Sequence, residues 1–310
     1  MIGLILRRFA WSLLVAWFVV SITFVMITAI PADPMKAMLG PHATPESIQR
    51  AREHYCLDKG KLGQYGCFVA HVAHADLGES YRSKRPVTAI IRERVWPTVQ
   101  LALAAILLQL LVGVPLGVLA AVRRDRWPDH AANVFGLVGQ SAPTFFIGTL
   151  FLYVFAYLFG WFPIGGYGEG LFGRLHHLVL PAATLATVGI AYYARVVRAE
   201  MVEVLNEDYV RTARAKGLSE RRVVTRHALR NALGPLVTLV GLDLGVLLGG
   251  AVVTEYIFAW PGIGREVLQA IFEQDNPLIL GVVLVSAFAI AFANLLVDIV
   301  YLWIDPRLRD

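Results

Sequence analysis

Apolar runs long enough to cross a bilayer constrain this chain before anything else does. They lie at about 9–30, 98–122, 131–159, 178–198, 232–257 and 277–304. Roughly 20 apolar residues match a hydrocarbon core of ~30 Å. Backbone in that core has no water to bond to, so each run is expected to be a helix. Composition agrees: 57% of the residues are hydrophobic and 16% are charged, against about 25% charged in ordinary soluble domains. The expected fold class is an all-α polytopic membrane protein with about six transmembrane helices. The first run follows Arg7 and Arg8 and has the look of a signal peptide. It is long enough to span, however, and continues into Pro31-Ala-Asp-Pro34 without a small-x-small cleavage site, so a retained helix is expected. Trp96, Trp127, Trp161, Phe162, Trp260 and Trp303 lie near segment ends, where interfacial aromatics belong.

Loop charge sets the orientation. Arg7 and Arg8, the loop with Arg123, Arg124 and Arg126, the long stretch Arg195 to Arg230, and Arg307 with Arg309 fall on one side. The loops near 160–177 and 258–276 offer only Arg174 and Arg265. The basic side is the cytoplasmic one, so both termini are expected there. The domains follow: an N-terminal helix over 1–30, an extracytoplasmic region over 31–97, and a five-helix core over 98–310 with cytoplasmic helices at about 199–231. Within 31–97, helices are expected over Glu46–Tyr55 and Gln64–Ala75, with Val87–Arg94 leading into the second span.

The stretch from Arg195 to Arg230 is more than a solvated basic loop. Residues 200–216 lack Gly and Pro, and Val202, Leu205, Tyr209 and Ala213 form one apolar stripe. Gly217 follows Lys216 as a helix stop, a C′ glycine onto which Leu218 can pack back. Ser219 stands as the cap of a second helix with Glu220 in its first turn, and Arg221, Arg222, Arg226 and Arg230 project from it. A defined turn of this kind suits a docking element.

Here the residues resemble a known family. Arg211-Thr-Ala213-x-x-x-Gly217 stands where ABC importer permeases carry their EAA motif, and Asp208 to Gly217 with His227 to Leu233 is similar to the dipeptide/oligopeptide branch. Pro31–Pro34, Asp76-Leu-Gly-Glu-Ser80, Ser141–Gly148, Glu255–Gly264 and Asp305-Pro-Arg307 match in the same order, so the resemblance covers nearly the whole chain. It is that of the B-type subunit, with a large loop after the first helix. The general motif's Glu is Arg211 here, and its Pro is Arg230, both as in the peptide branch; Tyr55 to Cys67 is less typical.

The resemblance implies an ABC importer type I permease fold in a bacterial inner membrane. The chain would pair with a homologous second permease, two cytoplasmic ABC ATPases and a periplasmic solute-binding protein. It implies no catalysis and no cofactor in this chain, since ATP and magnesium would be bound by the ATPases. The contact to them would use Arg211, Thr212, Ala213, Ala215, Lys216, Gly217, Leu218, Arg222, His227 and Arg230. No GxxxxGK[ST] loop is present, nor HExxH, GxSxG or a paired Asp motif, which argues against an ATPase or an intramembrane hydrolase. No nucleic-acid partner is expected; the lipid bilayer is.

Other residues leave alternatives. Asp243, in the fifth run, is expected either to line the translocation path or to bond a polar neighbour such as Gln109 or Asn294. An ion-coupled secondary transporter using Asp243 is the rival reading; it would need more midplane acids and an inverted repeat. Glu255 and Asp298 fall nearer span ends, where water or head groups reach. Gly241, Gly245 and Gly249 share a helix face and are expected to pack against the partner permease, with a pore that needs close backbone approach as the alternative. Cys56 and Cys67 lie on the side where a disulfide can form, with free thiols as the alternative. No metal site is assigned: His54, His71 and His74 lack tight ligand spacing.

Overall fold

A computed structural model describes residues 2–29, 58–127, 141–249 and 251–304, with isolated positions between 44 and 56 and between 129 and 136. Along the first and last helices it describes side chains 10, 11, 13–26 and 276–296. Pro31–Pro34, most of 46–55, the start of the third apolar run, Gly250, the side chain of Asp298 and Asp305–Arg307 lie outside the described residues.

Among the described residues the regular elements are helices, apart from one isolated bridge between Glu79 and Pro86. They are α1 (Ile2–Ala29), α2 (Lys61–Ala73), α3 (Val87–Val122), α4 (Thr144–Leu158), α5 (Gly170–Val204), α6 (Asp208–Ala215), α7 (Glu220–Ala232), α8 (Gly234–Leu248), α9 (Val252–Ile257), α10 (Ile263–Phe272) and α11 (Asn276–Ile304). Three of them are long and apolar enough to cross a membrane over Val87–Val122, Gly170–Val204 and Asn276–Leu296. Leu13–Met26 and Thr144–Leu158 are shorter apolar helices. The pair α7 and α8 is bent by 53°.

The helices outrun the apolar runs that announce them. At 36 and 35 residues, α3 and α5 are about 54 and 52 Å long at 1.5 Å per residue. The fifth run breaks where one helix was expected over 232–257. Gly249 closes α8 by donating to Gly245 O (3.1 Å), Ala251 leaves helical backbone at φ −78°, ψ 59°, and α9 restarts at Val252. Glycine is a poor helix continuer, and the restart turns Glu255 toward α3.

Packing follows small residues. A Cβ on Gly117 of α3 would stand 2.6 Å from Ala194 O and 2.7 Å from Val197 Cβ, so the two long helices touch backbone to side chain. The glycine stripe of α8 is used inside this chain: Gly245 and Gly249 face Ile290, Ala293 and Asn294 of α11. That corrects the expectation of a partner permease at this face, because α11 returns antiparallel and takes the groove first. Outside the core, α1 presents Trp11, Leu14, Trp17, Phe18 and Val25 outward, as a lipid-facing helix does. The α2 helix rests on it through Ser21 Oγ and Tyr65 Oη at 2.7 Å and through Phe24 against Tyr65 and Phe68. It begins three residues earlier than expected, and Cys56 and Cys67 are joined by a disulfide that ties its centre to the preceding loop.

Candidate functional site

The basic segment is a compact helical hairpin seated on the end of α5. Tyr193, Val197 and Met201 of α5 are buried with Val224, Ala228 and Ala232 of α7 and Leu236 of α8. Fully burying a side chain such as Met201 contributes on the order of 2 kcal/mol, so α7 and α8 are fixed to α5 by an apolar patch.

A single helix over 200–216 was expected, but the chain breaks at Leu205–Glu207. Asn206 Nδ2 donates back to Val202 O (2.7 Å), its backbone N–H donates to Glu203 O (3.0 Å), and Glu207 turns extended at ψ 148°. Asn side chains compete with the helix for backbone partners in this way. The break changes the stripe: Val210 and Ala213, not Tyr209, face the core, packing on Val223 with Val204, Leu205 and Leu218. Tyr209 is exposed and its hydroxyl accepts from Asn231 Nδ2 at 2.7 Å, tying α6 to α7.

Gly217 has φ +77°. Its N–H donates to Arg214 O (2.9 Å) and that of Leu218 donates to Ala213 O (3.3 Å). This is a Schellman closure, with Leu218 folding back onto the helix it ends. Ser219 occupies the N-cap position of α7 with its carbonyl, accepting from Arg222 N and Val223 N, while its side chain makes no capping bond. Glu220 instead reaches across the turn: Arg214 Nε and Nη2 donate to its Oε2 and Oε1 at 3.1 and 2.7 Å. This fork was not anticipated from the sequence; it is a charge pair six residues apart that only the Gly217 turn brings together.

The hairpin's outer surface carries Arg211, Thr212, Ala215, Lys216, Gly217, Arg222 and Arg230, all exposed; Ala213 is buried, and Leu218 and His227 are half-buried. Of the exposed cations, Arg211 pairs weakly with Asp208 at 3.4 Å. Nothing stands within 4 Å of a Cβ placed on Gly217, so the turn's tip is open. A second clamp holds the neighbouring loop. Asp129 is only 2% exposed and accepts from both Nε and Nη2 of Arg198, the latter at 2.6 Å, and from Asp125 N at 3.0 Å. The Arg198 fork holds the Asp129 carboxyl below the usual carboxylate range.

The other expected path residues separate into two places. Asp243, half-buried on α8, lies beside the fully buried Tyr193 of α5. Buried Gln109 sits in an i→i+5 turn of α3, Gln109–Gly113, with its amide against Gly189, one helical turn from Tyr193. Asn294 faces Gly245 on α11 and is otherwise exposed. Tyr193 is the neighbour of Asp243 that sequence reasoning missed.

At the end far from the basic hairpin, Glu255 and Trp260 are fully buried rather than interfacial. The Glu255 carboxylate accepts from Thr98 Oγ1 (2.8 Å) and Arg265 N (2.9 Å), while Trp260 Nε1 donates to Pro97 O (2.9 Å). Nearby, Asp275 accepts from Ser80 Oγ (2.5 Å), Tyr81 N (3.1 Å) and Arg82 N (3.4 Å), anchoring the Asp76–Ser80 loop. Among the described residues no three His, Cys, Asp or Glu side chains gather as a metal set.

Comparison with known proteins fits this geometry. Residues 113–310 match the family described as "Binding-protein-dependent transport system inner membrane component", and residues 1–102 match its N-terminal companion. A putative peptide transport system permease protein of Brucella abortus (strain 2308) is 41% identical over 312 residues, covering 100% of this chain and 99% of that one. The probable D,D-dipeptide transport system permease protein DdpB of Escherichia coli (strain K12) is 40% identical, covering 98% and 97%. The glutathione transport system permease protein GsiC of Salmonella choleraesuis (strain SC-B67) is 37% identical, covering 100% and 99%. A chain of the MetNI methionine ABC transporter, solved in inward facing conformations, shares the fold at TM-score 0.56 and 18% identity, over 70% of this chain and 96% of that one. The chain therefore belongs to the family of inner membrane components of binding-protein-dependent transport systems.

Proposed function

We propose that this chain is the B-type permease subunit of an ATP-driven importer of di- or oligopeptides or related small solutes, in a bacterial inner membrane. Six spans with both termini cytoplasmic carry the 1–30 helix, the 31–97 extracytoplasmic region and the 98–310 core. A homologous second permease completes the pore, a periplasmic binding protein delivers the solute, and two cytoplasmic ATPases bind ATP and magnesium. The chain itself catalyses no reaction.

The observation that carries this reading is the hairpin α6–Gly217–α7. It is stiffened by a Schellman turn and the Arg214–Glu220 fork, seated on α5, and left bare at its tip. A rigid, exposed, basic protrusion joined to the long α5 and to α8 is what a motor protein can push on. Arg211, Thr212, Ala215, Lys216, Gly217, Arg222 and Arg230 would make the contact; Ala213 and Leu218 would hold its shape. Asp243, with Gln109 and Asn294, would lie along the path. The names of the relatives, which mention peptides, D,D-dipeptides and glutathione, support a peptide-like solute. The ion-coupled reading is set aside, since a binding-protein-dependent family supports delivery by a separate protein.

The test is purification of the tagged chain from mild detergent with mass spectrometry of its companions. A second permease and P-loop ATPases in stoichiometric amount are expected. Recovery of the chain alone, or as a homo-oligomer, would refute the importer reading.

A further inference from the structure

No continuous helix joins the hairpin to α5. The ladder stops at Leu205–Glu207, so α6 does not inherit its direction from α5 through the backbone. Its apolar side, Val210 and Ala213, rests on Val204, Leu205, Leu218 and Val223. Apolar contact holds elements together but is non-directional, so it does not by itself set the angle of α6. Directed bonds do so at both ends of this short helix. Near its start, Tyr209 Oη accepts from Asn231 Nδ2 of α7 (2.7 Å). Near its end, Arg214 reaches both flanking elements with one guanidinium. Nε and Nη2 donate to Glu220 at the start of α7 (3.1 and 2.7 Å), and Nη1 donates to the Leu205 carbonyl, where α5 gives out (3.4 Å). The donors of a guanidinium form a rigid planar fork, so bonds made on two of its edges fix α6 relative to both neighbours. The α7 helix is in turn seated on α5 through Val224, Ala228 and Ala232 against Val197 and Met201. With side chains 40% and 54% exposed, Arg214 and Glu220 are a poor source of fold stability; what the pair adds is direction.

We propose that Arg214 and Glu220 are positioning residues for coupling: they lock α6 at one angle to α5 and α7, so that a displacement of the Gly217 tip by an ATPase reaches α5 through a hairpin that moves as one piece. This rests on the importer reading. With the fork intact, α6 and α5 keep one relative geometry whether or not nucleotide is bound. With the fork cut, the tip still docks, because the exposed side chains of the contact are left in place. The α6 helix then yields at Leu205–Glu207 when the ATPases close, and α5 receives less of the motion.

The experiment uses the complete transporter, both permeases with the ATPases, in nanodiscs, with spin labels on Tyr192→Cys of α5 and Asp208→Cys of α6. The two native cysteines are bonded to each other, so the introduced thiols are the ones this chain offers to the label. Distance distributions are recorded without nucleotide and with a non-hydrolysable ATP analogue, beside the ATPase-to-permease stoichiometry. The chain with its fork intact is expected to give the same single distance in both states. Arg214→Gln and Glu220→Gln are expected to keep the ATPases at wild-type stoichiometry and to show a second distance with the analogue. The ratio of locked to yielded molecules should fall about threefold to fivefold, as the loss of one well-formed exposed pair allows. Exchanging the charges, Arg214→Glu together with Glu220→Arg, re-forms a pair and is expected to restore the single distance. Direct contact of Arg214 with the ATPase would instead lower the stoichiometry in Arg214→Gln and again in the exchange, and would overturn the proposal. A purely structural role would lower the amount of complex and leave the distances of what assembles unchanged, which would overturn it too, as would two distances with the fork intact. If Arg214→Gln fails to assemble, Glu220→Gln decides alone. A wild type that carries no ATPase overturns the importer reading itself, whereas unchanged distances with ATPase bound overturn only the lock.

Discussion

Replacing Gly217 by Arg separates the fold of the hairpin from its use. Gly217 has φ +77°, so any L side chain there costs roughly 1–2 kcal/mol of left-handed strain. No steric cost is added, because nothing lies within 4 Å of the new Cβ. The two backbone bonds of the turn and the packing of Leu218 on Val210, Ala213 and Val223 do not involve a side chain at 217. A loss of about 1–2 kcal/mol is small against the 5–15 kcal/mol of a typical native state, so Gly217→Arg should reach the membrane at close to wild-type abundance. If the tip enters a groove on an ATPase, a guanidinium side chain on it should lower co-purified ATPase at least about tenfold, the effect of 1.4 kcal/mol or more of clash or desolvation. Gly217→Ala, with the same strain and little bulk, is the control and should retain most of it. The assay is quantitative immunoblotting of membranes together with ATPase-to-permease stoichiometry after affinity purification. Stoichiometric ATPase and full uptake with Gly217→Arg would refute the docking argument; equal loss with Ala would mean that strain, not contact, is at work.

Other outcomes follow from the buried polar pairs. Asp129→Ala leaves Arg198, which is partly exposed, without its fork and should cost about 1–3 kcal/mol, the usual value of a charge-assisted hydrogen-bonded pair, read as a fall of about 2–5 °C in thermal unfolding in detergent. The same pair sets a pH window. Its carboxyl is depressed in the folded state, so its stabilisation is fully present above the unfolded value of about 3.9 and is lost only as pH falls through the folded value; unfolding scans between pH 5 and 7 should show no change of stability with pH that disappears in Asp129→Ala. Asp275→Ala removes the acceptor of Ser80, Tyr81 and Arg82 and should cost roughly 2–3 kcal/mol, with limited proteolysis appearing first at 81–85. Cys56→Ser with Cys67→Ser opens a loop of sequence separation 11; the chain-entropy value is about 3 kcal/mol, so hydrogen exchange in α2 should accelerate while α3 and α5 stay protected.

Local chemistry was legible in the sequence, and distant pairing was not. The Gly217 closure needs only the residues from Ala213 to Leu218, and a basic residue followed by Gly at the end of a periodic stripe announces it. The apolar runs announced the long helices because length and hydropathy are local properties. The break at Leu205–Glu207 was missed because no Gly or Pro marks it; an Asn side chain and the change of buried face do the work. Glu255 was read as a span-end acid near water, yet its partner Thr98 lies 157 residues away. Ser80 and Asp275 are 195 residues apart. Period and spacing carry no information about which distant helix will arrive opposite a given acid, so the position of Glu255 in its run suggested solvent where the fold supplies two donors, Thr98 Oγ1 and Arg265 N. The glycine stripe of α8 was correctly seen as a close-packing surface and assigned to the wrong neighbour, because stripes specify distance of approach and not the identity of what approaches.

The unbroken length of α5 has a consequence in amplitude. Its 35 residues run without interruption from the loop after Trp161 to the base of the hairpin. A rod of about 52 Å turned by ~10° about its midpoint carries each end through about 4–5 Å. A repacking of a few ångströms where α7 sits on Val197 and Met201 is thus carried in the opposite direction toward the far end, with Pro181, which has no N–H to give the helix ladder, as the position inside α5 where the rod can bend.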